Sequence, residues 1–181
     1  MISFEVMLYP KRKTQGKVGY ATLKMDMSKA YDRVEWGFPQ AMMVKMGFCM
    51  EWVNKVMNMV TTVTYQFIHG GKSFGNISPR RGLRQGDLIS PYLFLPVTEG
   101  FLALLKKISF QGRIHGVKIC TKAPSILQLF FTNDALYLFK AATKEAMTIR
   151  QCLEIYQAAS SQQVDFQMSN IFFTGNTNAS V

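Results

Sequence analysis

At 181 residues and 48% hydrophobic, the chain carries enough apolar material for one domain with a real core and too little length for two comfortable ones. Its 21 basic against 11 acidic residues leave a formal charge of +10, which favours polyanionic partners through phosphate neutralisation and counterion release over a merely solvated basic surface. Cys49, Cys120 and Cys152 are odd in number and far apart, which argues against a disulfide framework or a zinc cluster and for a reducing intracellular compartment, nuclear or cytoplasmic.

The chain opens with an apolar stretch followed, not preceded, by Lys11-Arg12-Lys13, the reverse of a secretory signal. No apolar run reaches the ~18 residues of a membrane span, so no membrane association is expected. Over 20–27, Leu23, Met25 and Met27 alternate with Lys24 and Asp26, the period of a strand with one apolar face and Asp26 turned away from it. Residues 35–46 and 50–60 read as helices. The second carries Val53, Met57 and Val60 on one stripe, and its methionines serve packing.

Residues 63–68 and 73–77 flank Gly70-Gly71, a pair suited to the positive backbone angles of a tight hairpin turn. A basic, glycine-containing loop follows over 80–87. Ser90-Pro91 then reads as an N-cap and first helical position, opening a long apolar helix to about Lys107 with a kink at Pro96. Residues 114–119 read as a short strand, and 126–131 with 135–139 as a second hairpin turning at Thr132-Asn133-Asp134. A helix over 143–159 carries Met147, Ile149, Leu153 and Tyr156 on its apolar side, and 164–166 and 171–173 are weak closing strands. His69 and His115 lack partners at ligand spacing and read as surface or strand residues. The polar tail 175–181 has nothing to bury and is expected to be disordered, leaving 1–174 as the folded domain. Helices mixed with antiparallel hairpins indicate an α+β architecture, a sheet backed by helices.

Transfer of a nucleotide calls for carboxylates that converge from separate strands on divalent cations. Asp26 at a strand end and the Asn133-Asp134 turn could supply that geometry, although each alone is more simply a strand end and a turn.

In order along the chain stand Leu23-Lys24-Met25-Asp26-Met27-Ser28-Lys29-Ala30-Tyr31-Asp32-Arg33-Val34-Glu35-Trp36, then Arg81-Gly82-Leu83-Arg84-Gln85-Gly86-Asp87 with Ser90-Pro91-Tyr92-Leu93-Phe94, then Gly112-Arg113-Ile114-His115-Gly116. With these stretches nearly the whole chain resembles the reverse transcriptase domain of non-LTR (LINE-type) retrotransposons, particularly the plant type. The resemblance implies a palm-like antiparallel sheet backed by helices, with fingers and thumb largely absent. It implies RNA-directed DNA synthesis with Mg2+, an RNA template, a DNA primer and deoxynucleotides.

By position, Asp26 matches the family's first metal-binding aspartate, and Tyr31 the aromatic residue beside the incoming sugar. Gln85 and Gly86 match the loop that lies against nucleotide and template, and Arg81 and Arg84 are candidate phosphate contacts. Phe131 to Asp134 matches the aromatic-Ala-Asp-Asp turn, with Thr132 in place of the alanine and Asn133 in place of the first aspartate. Asp26 and Asp134 remain as metal ligands, and Asn133 offers a neutral carbonyl plus an amide donor useless to a cation. A unit charge at ~4 Å and an effective dielectric of about 20 is worth on the order of 4 kcal/mol, so a loss of at least a few hundredfold in rate is expected. Leu88-Ile89 replaces a usual Pro-Leu, and Met168 stands where a lysine is usual. The expectation is therefore a reverse transcriptase domain fragment with impaired catalysis. The rival readings are a non-catalytic nucleic-acid-binding fragment and a decayed transposon remnant.

Overall fold

The computed structural model describes residues 14–16, 18–118, 120, 123–131 and 134–177, without the side chains of Phe130, Phe131 and Asp134. Among them the chain forms two compact units that interleave along the sequence. The first comprises Met1–Ser28, Phe101–Ile155 and Val164–Val181, and the second Lys29–Gly100 and Tyr156–Gln163.

The first unit is built on an antiparallel sheet of β1 (Tyr20–Met25), β4 (Gln128–Phe131), β5 (Asp134–Lys140) and β6 (Asn170–Phe173), in the order β4-β5-β1-β6. The alternation over 20–27 ends as a ladder at Met25 because Met27 leaves the strand to bridge Val164. β1 pairs with β5 from Tyr20↔Lys140 to Met25↔Ala135, and with β6 from Ala21↔Phe173 to Lys24↔Asn170. β5 reads as an unbroken apolar run because both of its faces are covered. Leu138 packs with Val117, Ile126 and Leu129, while Tyr137 on the other face meets the ring of Phe101 edge-on at 5.1 Å. Leu136 through Phe139 are all buried.

The expected strand over 114–119 is replaced by a single bridge, Val117↔Ile126. Likewise 164–166 forms only the Met27↔Val164 bridge before a hydrogen-bonded turn. Strand propensity depends strongly on context, so composition alone secured no ladder at either place. His115, expected to be a surface or strand residue, is exposed, and its backbone N–H and ring meet the buried carboxylate of Glu145.

The second unit holds α1 (Gly37–Lys45), α2 (Met50–Thr61), the hairpin β2 (Tyr65–His69) and β3 (Lys72–Ile77), and residues 90–100 of α3 (Ser90–Phe110). Val53, Val56 and Met57 bury one face of α2, whereas Val60 is only half-buried at its end. Gly70 and Gly71 turn the hairpin at φ of 57° and 73°, as their pairing requires. Ser90 is the first helical residue and not the cap, since Leu93 N–H already donates to Ile89 O, and α3 runs unbroken through Pro96.

The last long helix, α4 (Thr143–Ser160), buries Ile149, Cys152, Leu153 and Tyr156 at helical spacing. Met147, expected on that stripe, is 63% exposed, because its place in the turn falls on the opposite face. In the second unit Tyr156 meets Phe38 edge-on and donates its hydroxyl to Val97 O. Asn176 Nδ2 reaches the carbonyls of Gln15, Gly16 and Val18, while residues 178–181 lie outside the described residues. Among the described residues no helix is long and apolar enough to cross a membrane.

Candidate functional site

In the first unit, Asp26 sits one residue beyond β1, half-buried, and its backbone is held on both sides. Its N–H donates to Ser169 Oγ at 3.1 Å, and its carbonyl accepts from Asp165 N at 3.0 Å. The turn that supplies both partners is itself braced: Asp165 Oδ1 accepts the N–H groups of Gln167 and Met168, and Ser169 Oγ donates to Asp165 O at 2.6 Å. With the main chain so fixed, the carboxylate makes no hydrogen bond or ion pair among the described residues.

The register of the sheet brings a second acidic position alongside. Met25 lies opposite Ala135, and Asp134 precedes Ala135 as the first residue of β5. Asp26 and Asp134 thus occupy adjoining ends of neighbouring antiparallel strands, where Cα atoms stand about 4.5–5.5 Å apart. Thr132 and Asn133 lie outside the described residues, so the amide that replaces an expected carboxylate is known here by sequence alone. Among the described residues no cluster of three His, Cys, Asp or Glu stands ready for a metal. The described strand ends bring together two carboxylate-bearing positions, Asp26 and Asp134. Hard oxygen donors with the main chain of one fixed in advance suit a divalent cation such as magnesium, which keeps several waters and takes few protein ligands.

The second unit gathers the basic loop. Gly82 N donates to Val34 O at 2.8 Å and Leu83 N to Tyr31 O at 2.9 Å, zipping the loop to the turn that carries Tyr31. Trp36 Nε1 adds a bond to Gly82 O at 2.7 Å. At φ 91° and with a would-be Cβ 3.1 Å from Asp32 O, position 82 admits glycine alone without strain. Tyr31 stacks on Phe94 of α3, ring centroids 5.0 Å apart and 17° from parallel.

Arg81, Arg84 and Gln85 line a cleft of about 390 Å³ together with Trp36, Tyr65 and Asp87. Arg84, Gln85 and Gly86 are exposed, and Arg81 pairs loosely with Glu35 at 3.4 Å on the surface, a contact of little energetic weight. Asp87 Oδ1 accepts Ile89 N at 3.2 Å and so fixes the entry to α3. Of the residues named from sequence, Arg81, Arg84 and Gln85 share this cleft, Gly86 adjoins them in the chain, and Tyr31 is tied to the same loop through Leu83.

Sequence reasoning missed the supporting residues Ser169, Asp165 and the indole of Trp36. Asp165 followed by Ser169 is a recognisable turn signal, an acidic side chain able to take N–H groups two and three residues on. Nothing local links that turn to Asp26, more than a hundred residues earlier.

Comparison with known proteins gives the chain a family and a fold. The family model described as Reverse transcriptase (RNA-dependent DNA polymerase) matches residues 5–169. An uncharacterized mitochondrial protein of Arabidopsis thaliana is 33% identical over 117 residues, covering 61% of this chain and 89% of that protein. The retrovirus-related Pol polyprotein from type-1 retrotransposable element R2 of Popillia japonica is 28% identical over 127 residues, 70% of this chain and 20% of the polyprotein. Among solved structures, apo telomerase from Candida tropicalis, truncated from its C-terminal domain, superposes with a TM-score of 0.69 at 13% identity. That match covers 98% of this chain and 34% of the telomerase chain, and it speaks for the α+β fold alone.

Proposed function

The chain belongs to the reverse transcriptase (RNA-dependent DNA polymerase) family, and on that premise we propose that its site is the palm centre of a non-LTR retrotransposon reverse transcriptase, slowed by Asn133. The reaction is RNA-directed DNA synthesis. The 3′-hydroxyl of a DNA primer paired to an RNA template bonds to the α-phosphorus of a deoxynucleoside triphosphate, the bond to the pyrophosphate oxygen breaks, and the hydroxyl proton passes to solvent. The observation that carries this reading is the register that sets Asp26 beside Asp134 at adjoining strand ends.

Asp26 and Asp134 are the residues that would hold magnesium, with Asn133 offering at most a carbonyl oxygen. Bound there, the metal supplies positive charge that activates the hydroxyl and stabilises the leaving oxygens. Ser169 and Asp165 hold the main chain of Asp26, so that its carboxylate meets a cation without reorganising the strand end. In the second unit, Arg81 and Arg84 are assigned to phosphate, Gln85 and Gly86 to the nucleotide and template, and Tyr31 to the sugar. The rigid backbone zipper at Leu83 and Gly82 supports these assignments, because it presents the loop in one conformation.

Asn133 removes one unit of negative charge from the donor set, and each ~1.4 kcal/mol added to the barrier is tenfold in rate. Magnesium-dependent primer extension on an RNA template tests the reading with three proteins: the natural chain, Asn133→Asp, and Asn133→Asp combined with Asp26→Ala. Extension by Asn133→Asp at least on the order of a few hundredfold above the natural chain, abolished in the double variant, is expected. Equal extension by the natural chain and Asn133→Asp would refute the impairment, and silence in all three would refute the catalytic assignment. The charge of +10 favours, as a second reading, a protein that binds nucleic acid without extending it.

A further inference from the structure

The β2–β3 hairpin is exposed along both strands, yet it is rich in aromatic residues. Its register sets Phe67 opposite Phe74, His69 opposite Lys72 and Tyr65 opposite Ile77. Side chains two apart on a strand share a face, so Tyr65, Phe67 and His69 on β2 stand on the same side as Lys72 and Phe74 on β3; beyond Phe74 the register shifts, and Ile77 comes opposite Tyr65 across that irregularity. The other side carries Gln66 and Ser73, hydrogen-bonded to each other at 2.8 Å, with Ile68. One face thus carries Gln66, Ser73 and Ile68, and the other sets the rings of Tyr65, Phe67 and Phe74 beside one cation, Lys72. Phe67 is 65% exposed and Phe74 52%, so this directly opposed pair presents its rings to solvent.

An exposed apolar sheet face is ordinarily a place for another protein, but the charge around this one argues otherwise. From Trp52 to Gly86 there is no Asp or Glu, while Lys55, Lys72, Arg80, Arg81 and Arg84 fall in the same interval. Tyr65 also lines the cleft that holds Arg81 and Arg84, so the ring-bearing face and the guanidinium groups adjoin within one unit. Flat rings that stack on unpaired bases, beside cations that take phosphates, are the components of a single-strand binding platform. Duplex bases are already stacked and leave such rings nothing to do.

We propose that this hairpin face binds a single strand of RNA, with bases on Phe67, Phe74 and Tyr65 and phosphates on Lys72, Arg81 and Arg84. The choice of RNA over DNA rests on the family reading; the platform itself does not require Asp26, Asp134 or a metal.

The test is fluorescence anisotropy with a labelled, unstructured RNA oligonucleotide and the full chain, in chelator and without nucleotides. Phe67→Leu with Phe74→Leu keeps apolar bulk and removes stacking, and should weaken binding at least tenfold while circular dichroism stays unchanged. Lys72→Ala should lower the slope of log affinity against log salt by about 0.7. Binding of the leucine variant equal to that of the natural chain overturns the proposal, as does tighter binding of duplex DNA of the same length. Self-association lost in the leucine variant with RNA affinity intact would assign the face to a second copy instead. Since no metal is present, loss of primer extension with these results intact refutes only the catalytic reading. Unchanged extension with unaffected hairpin variants refutes only this one.

Discussion

The backbone N–H of Asp26 donates to the side-chain oxygen of Ser169 at 3.1 Å, across 143 residues of sequence. Ser169 Oγ in turn donates a hydrogen bond to Asp165 O, so one hydroxyl joins the end of β1 to the turn before β6. Ser169→Ala should leave the Asp26 amide unsatisfied and destabilise the chain by about 1–3 kcal/mol in urea unfolding. In the Asn133→Asp background it should lower primer extension more than it raises the apparent requirement for template, because the strand end loses its fixed position.

A similar constraint governs the basic loop through Gly82. Alanine there would need a positive φ and would press its Cβ on the backbone of Asp32. Gly82→Ala should cost about 1–3 kcal/mol of stability, whereas Gly86→Ala, with nothing near its Cβ, meets only the backbone strain. Chemical denaturation of the two variants side by side checks the difference; equal losses would show that contact with Asp32 contributes nothing.

Glu145 offers a second long-range tie. Only 7% exposed, it accepts the N–H groups of His115 and Lys140 on Oε2 and faces His115 Nδ1 with Oε1 at 2.7 Å. Glu145→Ala strips two backbone donors of their acceptor and should destabilise by about 3 kcal/mol, with Glu145→Gln recovering part of that. Thermal melts of both variants decide it, and a loss under about 0.5 kcal/mol for the alanine would contradict the role.

Tyr156 predicts an alkaline weakness. Burial pushes its phenol well above the usual tyrosine range, against a smaller opposing effect from Ser160. A group whose pKa is raised by folding contributes fully below its unfolded value, near 10, and loses that contribution as pH climbs toward the folded value. Urea midpoints should therefore fall above about pH 10 more steeply for the natural chain than for Tyr156→Phe. Parallel slopes would mean that Tyr156 does not dominate the loss.

Much of this was legible in the sequence wherever local pattern and local structure coincide. The alternation over 20–27 yields β1, Gly70-Gly71 yields the hairpin turn, and the apolar run beginning at Ser90 yields α3. Legibility failed where distant partners decide. Residues 114–119 and 164–166 carry strand-like composition, yet among the described residues each makes a single isolated bridge and no ladder. Met147 has the right chemistry for a core and the wrong angle on its helix. At the site, Asp26, Gln85 and the arginines were readable as motif residues, whereas the clamp by Ser169 and the indole bond of Trp36 belong to tertiary structure.

Pairing of β1 with β6 has a practical corollary for dissection of the chain. Tyr20 and Thr174 exchange hydrogen bonds at 2.9 Å at one end of that pair, and the Asp165–Ser169 turn grips Asp26 at the other. A piece cut at residue 160 would still spell out each acidic position of the motif, and would keep β1 paired with β5, while baring the other edge of β1 and losing the turn that holds Asp26. The smallest excerpt able to present Asp26 in its native setting therefore extends through Thr174, with the supporting edge written last and the residue it supports written near the start.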